Sequence, residues 1–272
     1  MTEVLDTPLR DFLADLARIE HLLRLTNMLK AFGGTVIVDT QENLEGFCKE
    51  AIDLRAQIRE QRTDFPLLSG ALLLYLAGRF EYFVRSCFES TAEGIAEKCQ
   101  KFSDLPERLQ KSLLQNTADT IRNPSRYGFD DVQAKGFVTT LAENLQAENG
   151  LGEINSACLS VTEQNMGPGT LSDLFGRIGI QRIWEEIGKQ ADMKILFQLE
   201  REDGVSREAK AKLSNLMQDR NQIAHPSVST IFPDADQVID YISFLRIFAQ
   251  VLIQICRVKV VVFSVQEKDK ST

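Results

Sequence analysis

"PLLSGALLLYLAGRFEYFVRSCFESTAEGIAEKC", residues 66–99, is the stretch whose reading decides the fold. Its apolar run "FPLLSGALLLYLAGRF" is cut by Arg79 and Glu81 after far fewer than the 18 or more apolar residues a membrane span needs. The segment therefore predicts a buried helix. Pro66 suits its first turn, where the missing N–H is not needed. A chain of 272 residues with 43% apolar content has the material for a substantial core, as one large domain or two small ones.

Working outward, most of the chain has the same helical character. Residues 8–31 place Leu9, Leu13, Leu16, Ile19, Leu23 and Met28 at near-helical spacing, ending before Gly33–Gly34. "TVIVDT" (35–40) is an isolated β-like run, and 41–63 read as a charged amphipathic helix. After the central helix, "DLPERLQKSLLQNTADTIR" continues the pattern, with Asp104 a candidate N-cap and Pro106 in the first turn. A helix follows over 130–147. The character then changes: 147–170, "AENGLGEINSACLSVTEQNMGPGT", lacks periodicity and predicts an irregular insertion. Two short helices are expected near 170–177 and 181–190, then long ones over 206–224 and from Ala235 to Val262. In the last, Val238, Ile242, Leu245, Ala249, Leu252 and Cys256 step by four and three, as a packed seam requires; intramolecular core and dimer contact both fit. The expected fold is all-α, a helical bundle with an additional N-terminal helix (1–40), a main domain (41–265) and a frayed tail (266–272).

The net charge of −8 argues against nonspecific coating of nucleic acid. The deficit is concentrated, since 136–176 holds no Lys or Arg but carries Glu143, Glu148, Glu153, Glu163 and Asp173. Cys48, Cys87, Cys99, Cys158 and Cys256 are odd in number, form no C-x-x-C pair and follow no signal-like start. They read as reduced, mostly buried thiols in a cytoplasmic protein. No Cys/His cluster has zinc-ligand spacing, and no metal or cofactor is expected.

The chemistry concentrates in "RNQIAHP", residues 220–226. Asn221 and His225 are four apart and share a helix face. Arg220 lies about 140° from His225 at ~100° per residue, within reach of a long side chain. Pro226 disfavours α geometry at His225, so the helix should end there and present the imidazole at its mouth. A helix C-terminus favours imidazolium, the form that donates a proton. An imidazole beside a guanidinium suits cleavage of RNA by its own 2′-hydroxyl: His225 moves protons, Arg220 stabilises charge on the phosphate oxygens and Asn221 orients phosphate or imidazole. The competing reading pairs Arg220 with Asp219 or another acid and leaves His225 as a helix-end residue.

"RNQIAH" resembles the R-x4–6-H motif of HEPN-domain ribonucleases. Together with "LLLYLAGRFEYFVRSCFE" (72–89) and "GPGTLSDLFGRIGI" (167–180), in that order, the chain is similar to the RiboL-PSP-HEPN-like branch over roughly 41–262. The resemblance implies a HEPN-like bundle whose R-N-x-x-x-H helices meet across a homodimer to form one composite RNase site. Carried over by position, Arg220, Asn221 and His225 are the active residues. Glu81, in "AGRFE", is a candidate assisting acid, or equally an acid paired with Arg79 or Arg85. The resemblance also implies an RNA substrate such as tRNA, a toxin–antitoxin or antiviral-defence setting, and an antitoxin or regulatory protein as a further partner. Two positions depart from the pattern. Pro226 stands where many relatives have Gly, and Ser227 stands where the nucleotidyltransferase-paired branch has its AMP-accepting Tyr, so control by tyrosine AMPylation is not expected. The alternative is a noncatalytic HEPN-type module that binds a protein, nucleotide or RNA.

Other signals are weaker. "FGG" (32–34) and "MGPGT" (166–170) match neither phosphate-loop pattern. His21, flanked by Glu20 and Arg24, reads as a solvated or interface histidine, and Trp184 with the sixteen phenylalanines as core. Arg207, Lys210 and Lys212, on the helix that carries Arg220, are candidates to line an RNA groove.

Overall fold

The computed structural model describes residues 2–35, 46–227 and 229–270, all of them helix, turn or loop. The predicted central helix is α3 (Phe65–Ala96), with Pro66 in its first turn. α3 buries Leu73, Leu76, Phe80, Phe83, Val84, Cys87, Phe88 and Ile95. Against it lies α11 (Ala235–Lys270), whose Val238, Ile242, Leu245, Ala249, Leu252 and Cys256 are all buried. That seam is intramolecular core. α3 and α11 have the length and composition to cross a membrane, yet their apolar faces form the centre of this molecule.

The N-terminal helix α1 (Thr2–Gly34) starts earlier than its spacing predicts and runs through Pro8. It lies across both α3 and α11. Phe12 stacks on Phe83 at 4.8 Å between ring centroids. Polar ties fix the register: buried Asp15 accepts from Arg18 and from Arg79 of α3. Glu20 accepts from Arg24 and, at 2.6 Å, from Arg246 of α11. Hydrogen bonds from Arg246 and then Arg24 hold the Glu20 carboxyl below its ordinary range. α2 (Gly46–Glu60) packs on α1. Of the β-like run at 35–40, only Thr35 lies within the described residues, and it forms no strand.

α4 (Glu107–Arg122) and α5 (Asp131–Gln146) make a second layer beside the end of α3. Asp104 does not cap α4 as expected. It closes the 3-10 turn Phe102–Asp104, its carboxylate accepting from the backbone N–H of Gln100 and Lys101. The reason is local: Leu105 and Pro106 are extended, which puts Asp104 too far from the α4 amides. Asp130, by contrast, caps α5 through Gln133 N–H at 2.8 Å.

The segment 147–170 is irregular, as predicted, apart from the short α6 (Ser156–Leu159) and the start of α7 (Pro168–Arg177). It is not a loose insertion, because Leu151, Ile154, Cys158, Leu159 and Met166 are buried. α8 (Ile183–Lys189), the unpredicted α9 (Ala191–Phe197) and α10 (Glu202–Ala224) complete the fold, with α10 packed on α8 and α3. Cys87, Cys99, Cys158 and Cys256 are buried; Cys48's side chain lies outside the described residues. Burial raises the Cys158 thiol to about 11.

Candidate functional site

α10 buries Val205, Ala209, Leu213, Leu216, Met217 and Ile223 along one face, which fixes the direction of its opposite face. It ends where Pro226 requires. His225 leaves the helix with φ −126° and ψ 67°, while its N–H still donates to the Asn221 carbonyl at 3.1 Å. Glycine at residue 70 lets Phe232, in the segment after α10, lie close against α3 beside Ile223 of the α10 tip. A Cβ there would stand 3.5 Å from Ile223 Cγ2 and 2.5 Å from Phe232 Cδ1.

Arg220, Asn221 and His225 line one open cavity of about 750 Å³. Arg220 Nη1 donates to Asn221 Oδ1 at 3.2 Å, and among the described residues no carboxylate stands within ion-pair distance of its guanidinium. Asp219 is turned away and occupied: it accepts from Tyr241 Oη at 2.7 Å and Gln237 Nε2 at 2.9 Å, both on α11. Burial and this hydrogen bond push the Tyr241 phenol well above its usual range. The reading in which Asp219 neutralises Arg220 is therefore not the one the fold adopts. The His225 imidazole is exposed and has no hydrogen-bond partner among the described residues.

The facing wall of the cavity is residues 163–170. Asn165 Nδ2 donates to Asn221 Oδ1 at 2.5 Å, so Asn221 is held from both sides, by Arg220 and by Asn165. Spacing did not single out Asn165; its only signal was its place in the irregular segment. Gln218 and Ser214, one and two turns before Asn221 on the same face of α10, also line the cavity and were legible as a helical stripe. Glu163 at the rim is neutralised by Arg126.

A polar ladder holds residues 156–162, the segment leading into that wall, against α3. Glu81, Arg85, Glu89 and Glu93 are each four apart, hence on one face. Ser156 Oγ donates to Glu93 at 2.6 Å, Ser160 Oγ donates to Glu89, and Arg85 donates to Thr162 at 3.0 Å. Arg177 donates to the carbonyls of Leu159 and Val161, and Trp184 Nε1 to the Pro168 carbonyl at 3.1 Å.

Glu81 is thereby placed. It accepts from Arg85 at 2.6 Å and does not line the cavity, so its tie to the site runs through Arg85 and Thr162. The three basic residues expected along an RNA groove do not reach the site. Arg207 and Lys210 line a separate cavity between α8, α9 and α10, about 15–20 Å along the helix from Arg220 at 1.5 Å per residue. Lys212 points to α11, paired with Asp240 and lying over the Tyr241 ring at 5.2 Å. Distance along α10 separates Arg207 and Lys210 from His225, whereas Lys212 is turned about 140° away around the helix. Among the described residues, no three His, Cys, Asp or Glu side chains converge where an ion would sit.

Comparisons with known proteins found no matching curated protein and no matching solved structure. The sequence pattern of one family does match, from residue 39 to 257, through α3, the ladder-held segment and the Arg220–His225 tip. An all-helical fold that carries that tip, matched across most of the chain, makes this chain a member of the RiboL-PSP-HEPN family.

Proposed function

We propose that this chain is a metal-independent endoribonuclease of the toxin or antiviral-defence kind, cutting RNA such as tRNA to leave 2′,3′-cyclic phosphate and 5′-hydroxyl ends. The observation that carries the reading is that, among the described residues, the Arg220 guanidinium has no carboxylate partner and shares one open cavity with an unengaged His225 imidazole. An anion-binding cation that is already paired would have to break that pair to take phosphate; Arg220 does not.

The reaction follows from this geometry. An imidazole removes the proton from the 2′-hydroxyl, O2′ attacks phosphorus, and the P–O5′ bond breaks as O5′ accepts a proton from an imidazolium. Charge accumulates on the non-bridging oxygens, where Arg220 offers forked donors. Asn221, with Oδ1 engaged, presents its amide N–H₂ to the phosphate or base. One His at each tip supplies one imidazole, and two copies with facing tips supply both the base and the acid. An antitoxin or regulatory protein that covers the cavity would restrain such an enzyme.

The test is RNA cleavage in EDTA by the wild type and by His225→Ala in parallel. Wild type should cleave and leave cyclic phosphate ends, and the variant should lose at least ~10²-fold while keeping its helical spectrum. Cleavage that is equal in both, or absent from both, favours a noncatalytic module that binds RNA, nucleotide or protein.

A further inference from the structure

Half of α3's outer face is covered and half is bare. From Arg85 onward the face is sealed by residues 156–162 through the ladder. Before it, Leu68, Ala71, Tyr75, Gly78 and Tyr82 recur at steps of three and four, the phase of a packed helix seam, and all five are exposed. Leu68, Tyr75 and Tyr82 are 47%, 53% and 59% exposed, and neighbouring Leu67 is 59%.

Large and small residues alternate along this seam, and the glycine has no internal reason to be there. A Cβ on Gly78 would meet nothing within 4 Å. A mid-helix glycine costs about 1 kcal/mol relative to alanine, so a monomer would do better with a side chain at that point. Close approach of another helix supplies the missing reason.

We propose that this face of α3 is where a second copy of the chain docks, with the two α3 helices antiparallel. With the two-fold at the level of Leu73, Leu68 lies opposite the partner's Gly78, and Ala71 lies opposite the partner's Tyr75. Large then meets small at each of the four positions from Leu68 to Gly78, and Tyr82 reaches past the start of the partner's α3. A parallel pair would set Tyr75 against the partner's Tyr75 and Leu68 against the partner's Leu68. The four exposed Leu and Tyr side chains offer about 400 Å² per copy, given roughly 150–250 Å² for a fully buried aromatic residue. Both copies together contribute about 800 Å², a large part of the ~1,200–2,000 Å² of a stable interface, and the flanks of α3 add to it.

The orientation has a consequence for the site. Gly70, where the α10 tip meets α3, lies about 120° around the helix from the seam and about 4.5 Å along the axis from Leu73. An antiparallel two-fold runs perpendicular to the plane of the two helices, so both tips stay on the same side of that plane. A parallel two-fold would send them to opposite sides. In that placement of the tips the inference deepens the composite-site reading and rests on it; the docking itself needs no RNA chemistry.

Two measurements on the full chain test it. Sedimentation equilibrium should give the mass of two copies for wild type and of one copy for Gly78→Leu, with the variant's melting midpoint no lower than the monomeric fold requires, since the new side chain meets nothing internally. A wild-type monomer, or a Gly78→Leu dimer, overturns the seam. Under mild oxidation, mixed Ala71→Cys and Tyr75→Cys chains should cross-link to each other far more than either does to itself; efficient self-linking of Ala71→Cys overturns the antiparallel register. A dimer with the predicted cross-link but no RNA cleavage leaves the seam standing and removes the nuclease reading. Cleavage by a monomer that Gly78→Leu leaves fully active removes the shared site.

Discussion

Asn221 is the best-held polar group at the site although it is exposed to solvent, because two donors from different parts of the chain converge on its one carbonyl oxygen. Such convergence fixes which end of the amide faces the cavity, and with it the N–H₂ that would meet a substrate. Asn165→Ala removes one of the two donors without touching the core. RNA cleavage should fall by about tenfold in single-turnover assays, with a melting point within the ±0.5 kcal/mol scatter of surface substitutions. Loss of cleavage matched by loss of folding would show that Asn165 supports the wall and does not orient Asn221. Arg220 illustrates the same logic in reverse. Its neighbour Asp219 faces about 100° away around α10 and is consumed by Tyr241 and Gln237, so adjacency in sequence does not become an ion pair.

At the scale of elements, α3 has two jobs on opposite faces. One side carries Phe80, Phe83 and Phe88 into the core; the other carries the ladder that docks residues 156–162. Glu89 is the strained rung. Burial raises its carboxyl above the ordinary value, and the Ser160 hydrogen bond opposes this only in part. A carboxyl raised in the folded state contributes fully below the usual carboxylate range and loses that contribution as pH rises through the folded value. At neutral pH and above, ionised Glu89 is therefore a cost. Glu89→Gln keeps an acceptor for Ser160 and should raise the melting midpoint at pH 8 by roughly 1–3 °C, a gain that vanishes near pH 4. Thermal melts at the two pH values check it; an equal shift at both would assign the effect to packing.

Across the whole molecule, α1 is part of the core although the family pattern begins at residue 39. Leu5, Phe12, Leu16, Ile19 and Leu23 are buried in the same cluster as α3 and α11. Phe12→Ala should cost about 3–5 kcal/mol, a cavity penalty that a separable extension would not pass on to the rest of the fold. The expected observation is one cooperative transition lowered by roughly 10 °C, at ~2–4 °C per kcal/mol for a chain of this size. An unchanged main transition with an early, separate loss of helix would show α1 to be an independent appendage.

Periodicity alone determined the all-helical class, the long helices at the centre and C-terminus, and the end of α10 at His225. These rest on local physics: apolar spacing, the helix-breaking reach of Pro226 and the shared face of residues four apart. Spacing placed Arg220, Asn221 and His225 together for the same reason. It could not place Asn165, the role of Glu81, or the pairing of Lys212 with α11. Each of those depends on which helix face meets which neighbour, a matter of long-range packing. Only the tertiary structure decided that the irregular segment 147–170 packs into the core and walls the cavity, that α1 belongs to the core, and that the solvent face of α3 is left bare.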